Sequence, residues 1–110
     1  MFTLYGIKNC STVKKARDWL EQHGIAYQFH DVRVDGLTLE QLQDFTARVD
    51  WQSLLNRSST TWRQLTAEQK TDVTLEKALQ LLHDNPTLLK RPVLDTGERL
   101  IVGFKGEYLL

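Results

Sequence analysis

The sequence predicts an α/β fold: a small mixed sheet of four strands with a helical block inserted between the second and third strands. Three observations predict it. Within about the first thirty residues a strand, a helix and a second strand follow one another, and a unit of that kind makes parallel strands joined by a right-handed crossover. From about Thr38 to Leu89 the apolar residues recur at helical spacing, over a span too long for a plain connection. Near the end the period returns to that of strands, with turn residues between two short apolar runs.

Each element has its own signal. Phe2, Leu4 and Ile7 supply the apolar side of the first strand, and Tyr5-Gly6 leads into a polar turn, Lys8-Asn9-Cys10. Val13, Ala16, Trp19 and Leu20 then recur as one face of a helix. Asn9 or Cys10 caps that helix, and the hydroxyls of Ser11 and Thr12 can also accept first-turn amide hydrogens. His23-Gly24 stops it, because Gly24 is free to adopt positive φ. Tyr27, Phe29 and Val32 mark the second strand, and Asp35-Gly36 turns the chain. Thr38 and Gln41 have the spacing of a capping box, followed by a helix face of Leu39, Leu42, Phe45 and Val49. Trp51, Leu54 and Leu55 belong to a short helical piece, and Asn56 to Thr61 reads as a polar loop. Trp62 and Leu65 give another helical turn, and Thr66 with Gln69 repeats the capping-box spacing. Thr74 caps a helix with a stripe of Leu75, Ala78, Leu79 and Leu82. Asn85-Pro86 ends it and starts a turn carrying Leu88 and Leu89. Pro92 to Asp95 is a strand, Thr96 to Arg99 a hairpin turn, and Leu100 to Val102 its partner. Phe104 to Leu110 reads as the opening of a final helix.

With 110 residues, the chain is expected to form one domain, 1–110, holding the helical insertion of about 38–89. One cysteine excludes an internal disulfide. No signal-peptide pattern and no apolar run of about 18 residues is present, so a reduced, cytoplasmic setting and no membrane partner are expected. The 14 basic and 14 acidic side chains cancel, which removes the usual footprint of a nucleic-acid binder. A monomer is the expected state. The three histidines and the cysteine lack metal-ligand spacing, and no metal site is expected.

The chemistry centres on Cys10. The first turn of a helix leaves amide hydrogens without internal partners, and the dipole adds positive charge there. A cysteine at that point has its thiolate favoured, whereas a lone cysteine elsewhere is more often a small buried hydrophobe. A two-cysteine redox site would hold a resolving thiol three positions later, and that position is Val13. Any redox cycle therefore needs a thiol from outside, from glutathione or a partner protein. Arg91 and Arg57 are the candidates for holding a carboxylate or oxyanion, because a guanidinium grips it through two hydrogen bonds. Arg91 lies at the break between helix and strand, just before Pro92, a position open to a cis peptide bond. Arg57 is either a ligand or a solvated loop charge. Asn9 either donates to sulfur or ligand or sets the turn. Lys8 either raises the thiolate fraction or is simply solvated. No base is paired with Cys10 in the sequence, so an acyl-transfer site is not proposed.

Three stretches carry a resemblance: YGIKNCSTVKKARDWL, LLNRSSTTWRQL and LLKRPVLDTGERLIVGF. In that order and separation they resemble the arsenate reductase-like family, which includes the regulator Spx, and within it the YffB-like branch. The resemblance covers essentially the whole chain and implies a thioredoxin-like fold with a helical subdomain inserted between the second and third strands. It implies that Cys10 is the residue that, in the family's arsenate reductases, attacks arsenate before glutathione attacks the adduct. It places oxyanion-binding arginines near Arg57 and at Arg91, and makes Pro92 the cis-proline of the fold. The chain departs from the pattern in three places. The first arginine falls nearer Asn56, Ile101-Val102-Gly103 stands where a third arginine belongs, and Ile7-Lys8-Asn9 replaces a proline-containing turn. This reduced arginine set turns the resemblance toward a glutathione-linked thiol oxidoreductase, with no bound cofactor and glutathione as co-substrate. Two alternatives stand beside it: an Spx-like regulatory or protein-binding module without a redox switch, and an arsenate reductase.

Overall fold

Strand β1, Phe2–Gly6, is flanked on both sides, and the rest of the sheet is laid out from it. The computed structural model describes residues 1–110, which divide into two units, Met1–Asp35 with Arg91–Leu110, and Gly36–Lys90. In the first unit, β1 pairs in parallel with β2 (Tyr27–Asp31), with Phe2 opposite Tyr27 and Gly6 opposite Asp31. On its other side it pairs antiparallel with β3 (Val93–Asp95), with Tyr5 opposite Val93. β3 in turn pairs antiparallel with β4 (Leu100–Val102), with Val93 opposite Val102. The sheet is therefore mixed and four-stranded, in the order β2-β1-β3-β4, as a thioredoxin-like fold requires.

That register has a consequence for function. The chain leaves β1 and β2 at the same end of the sheet at which it enters β3 and leaves β4. Cys10, Arg33, the Arg91-Pro92 pair and Gly103 all follow or precede strands at that end. Helix α1, Ser11–Gln22, covers the sheet with Val13, Ala16 and Leu20, which pack with Leu4, Leu94 and Tyr108. Gly6 makes the approach possible, since a Cβ there would lie 2.8 Å from both methyl carbons of Val13. Gly24 ends the helix at φ 66°.

Several expectations for this unit are corrected. Tyr5 and Gly6 are strand residues and are buried, not the start of the turn. Val32 is not in the second strand. The buried carboxylate of Asp31 accepts the amide of Arg33 at 2.9 Å and that of Val34 at 3.4 Å, which turns the chain into a short helix, α2, Val32–Asp35. Phe104 to Leu110 forms no helix: Gly106 sits at φ 98°, and Tyr108 folds back into the core beneath α1.

The second unit is helical, and side-chain caps set its element starts. Thr38 and Gln41 form the capping box of α3 (Leu39–Arg48), and Asp50 caps α4 (Trp51–Leu54). Ser59 caps α5 (Thr60–Gln64), Thr66 and Gln69 box α6 (Ala67–Lys70), and Thr74 caps α7 (Leu75–Asp84). A 3-10 turn, Pro86–Leu88, follows. α3 packs on α7, with Leu42, Phe45, Ala78, Leu81 and Leu82 buried. The ends of the unit are stitched by amides, Lys90 to the Leu54 carbonyl at 2.7 Å and Asn56 to the Leu88 carbonyl at 3.0 Å. Leu39 and Leu75, expected on the packed faces, are each 42% exposed, because each is the first residue of its helix. Leu81 takes the inward place instead. The polar loop is also shorter than expected, since Thr60 and Thr61 begin α5 behind the Ser59 cap. No helix is long and apolar enough to cross a membrane.

Candidate functional site

Cys10 is the N-cap residue of α1, in extended conformation, with its carbonyl accepting the amide of Lys14 at 3.0 Å. Its side chain makes no capping hydrogen bond, and the first turn of α1 holds no acidic residue. Ser11 is the first helical residue, and neither it nor Thr12 turns its hydroxyl onto a first-turn amide, contrary to expectation. Every helix of the second unit has a side-chain oxygen at the equivalent point. The start of α1 is thus left with amide donors and positive dipole charge around a single sulfur. Cys10 is half-buried, free of any disulfide, and rests against the core cluster of α1 and the sheet. The resolving position is closed: Val13 is 1% exposed and locked against Gly6.

Arg91 enters from the strand side. The Arg91–Pro92 peptide bond is cis, and the Pro92 carbonyl accepts the Gly103 amide at 2.7 Å, which ties the turn to β4. The guanidinium is half-buried, and its Nη1 is buried without a hydrogen-bond partner. Burial lowers the pKa of Arg91 from the ordinary arginine value, the negative charge of an ionised Cys10 opposes that shift, and Arg33 adds to it. A guanidinium stays charged through a shift of this direction.

The other expected residues are placed differently. Lys8 and Asn9 are exposed on the turn before Cys10 and make no side-chain hydrogen bond. Lys14 pairs with Asp18 at 2.8 Å, and that hydrogen bond raises its pKa. It is a helix-surface pair, not a field directed at the sulfur. Arg57 belongs to the second unit, is exposed, and lies with its guanidinium carbon 5.5 Å from the Trp62 ring centroid. The Arg17 guanidinium stacks 4.1 Å from the Phe29 centroid, and its Nε donates to the Tyr27 hydroxyl at 3.0 Å. Sequence reasoning missed Arg33. Its signal was the end of β2: once the strand stops at Asp31, the residues after it stand at the same end of the sheet as Cys10. No group of three or more metal-ligating side chains is assembled.

A family model described as the ArsC family matches residues 5–110, from β1 through Cys10 to the last residue. The chain belongs to the ArsC family. Among solved structures it is similar to a protein described as YFFB, with a TM-score of 0.92 and 47% identity over 96% of this chain and 93% of that one. It is also similar to an arsenate reductase (ArsC) related protein from Brucella melitensis, 49% identical with a TM-score of 0.77, over 94% of this chain and 87% of that one. A relative described as global transcriptional regulator Spx 2, from Oceanobacillus iheyensis, is 32% identical over 92% of this chain and 75% of its own length. The family thus includes relatives named for reductase and for regulatory roles. This ArsC-family chain carries a single cysteine at the start of the first helix of its thioredoxin-like sheet unit.

Proposed function

We propose that this chain is a single-thiol oxidoreductase in which Cys10 is the nucleophile and Arg91 holds the anionic part of the substrate. The thiolate attacks one sulfur of a disulfide, a Cys10–S–S–R bond forms as the original S–S bond breaks, and the other half leaves as its thiolate. No second cysteine exists to resolve the mixed disulfide, so a thiolate from solution attacks it and regenerates Cys10. Glutathione suits that role, because its carboxylates match a guanidinium with an unused donor. The observation that carries the reading is the pairing of a half-buried sulfur at an uncapped helix start with the unpartnered Nη1 of Arg91. Incubation with oxidised glutathione, read by intact mass, tests it. A single glutathione adduct on Cys10, reversed by reduced glutathione and slowed about ten-fold in Arg91→Ala, is expected. No adduct would end the reading, and an unchanged rate in the variant would remove Arg91 from it.

The relatives' names give more support to a second reading than to glutathione dependence. Proteins described as Spx regulators match nearly the whole chain, and a regulatory module would use its surface to bind another protein. Val13 leaves such a module without a local disulfide switch. Pull-down of RNA polymerase subunits that is indifferent to Cys10→Ala, together with absence of thiol turnover, would favour this reading. The arsenate reductase reading uses the same thiolate on an oxyanion. It predicts arsenate-dependent oxidation of glutathione that Cys10→Ala abolishes.

A further inference from the structure

We propose that Arg33 is a specificity residue of the Cys10 site, selecting substrates that carry a second negative group beyond the one received by Arg91. The inference rests on the thiol reading above and narrows it to a substrate class: disulfides or thiols bearing two carboxylates or an equivalent dianion.

The argument starts from the register. Gly6 and Asp31 are opposite one another in the parallel β1–β2 pair, and Tyr5 is opposite Val93 in the antiparallel β1–β3 pair. Cys10, Arg33 and Arg91 therefore come from three adjacent strands at one end of one sheet. Arg33 and Arg91 lie on opposite sides of the strand that leads to Cys10. Open sheets bind ligands at such ends, outside the carboxyl termini of their parallel strands. The main chain at Arg33 is fixed, since its amide donates to the buried Asp31 carboxylate at 2.9 Å. The Asp31 carboxylate is thereby occupied with backbone amides, those of Arg33 and Val34. The Arg33 side chain is exposed and makes no hydrogen bond or ion pair. Burial is the main cause that lowers the pKa of Arg91, and the positive charge of Arg33 adds to it in the same direction. Two guanidiniums with free donors repel one another across a site that holds one ionisable thiol. A ligand with two negative groups relieves that repulsion and a neutral or cationic one does not.

The test uses three probes of different charge on the intact chain: a dicarboxylate aromatic disulfide, a neutral dipyridyl disulfide and cationic cystamine. The rate of Cys10 modification is followed at low and high salt for wild type, Arg33→Gln, Arg33→Glu and Arg33→Lys. Wild type is expected to favour the dianionic probe at low salt. With each rate divided by that of the neutral probe for the same variant, Arg33→Glu should lower the dianionic probe by about three- to ten-fold and raise cystamine, with Arg33→Gln between and Arg33→Lys near wild type. The differences should shrink as salt rises. Equal changes for all three probes, or no change for any, would overturn the proposal. Failure of wild-type Cys10 to react even with the neutral probe would instead overturn the thiol reading itself, so the two failures are distinct.

Discussion

Two of the three long helices, α1 and α7, begin in opposite ways. At α7 the Thr74 hydroxyl accepts the Lys77 amide at 3.3 Å, and Glu76 adds negative charge to the first turn. At α1 the cap position is Cys10, which accepts no amide through its side chain, and the first turn carries no acid. α7 thus satisfies one first-turn donor with its own cap side chain. α1 has no side-chain oxygen of its own on its first-turn donors. The helical unit uses its caps for stability, and the sheet unit forgoes one where its only cysteine stands.

Cys10→Ser is expected to have the largest effect and to sharpen this contrast most. Mixed-disulfide formation should disappear, while the serine hydroxyl supplies the missing cap and raises stability by roughly 0.5–1 kcal/mol in denaturant titration. Gly6→Ala should destabilise by about 1–3 kcal/mol, because the new methyl collides with the stiff Val13 side chain, 2.8 Å away. Adding Val13→Ala should recover part of that loss, a coupling visible in a double-mutant cycle. Thr74→Ala should cost about 1 kcal/mol through the lost cap and leave the reactivity of Cys10 unchanged. A thiol effect as large as that of Arg91→Ala would break the distinction between the two helix starts.

The smallest effect concerns the floor beneath α1. The Tyr108 ring packs edge-on against Trp19, and its hydroxyl is buried without a partner. Burial raises its pKa far above the ordinary value of 10.0. The folded chain thus holds that proton more tightly than the unfolded chain does. The contribution is fully present below about pH 10 and is lost as pH rises beyond it. Tyr108→Phe should flatten the alkaline limb of the stability profile and be neutral or slightly stabilising at neutral pH.

How much of this was legible in the sequence depended on how local the signal was. The capping boxes at Thr38 and Thr66 were readable because both partners lie within one turn. So was the βαβ unit, whose crossover follows from short-range periodicity. The last segment was misread as helix because its spacing looks helical while Gly106 and the buried Tyr108 serve tertiary packing. Leu39 and Leu75 fit the helical period, yet their place at the first position turns them outward. Of the candidate site, the positions of Cys10 and Arg91 were legible, one at a helix start and one before a cis proline. Arg33 was not, because its relation to them exists only through strand register.

The most direct test follows alkylation of Cys10 by iodoacetamide against pH, with free glutathione as reference and Arg91→Ala beside wild type. If the uncapped helix start and the guanidinium activate Cys10, wild type is alkylated faster than glutathione at every pH followed, and Arg91→Ala reduces that advantage. Superimposed profiles for wild type, variant and glutathione would contradict the account, leaving Cys10 a packing residue in an ArsC-family fold.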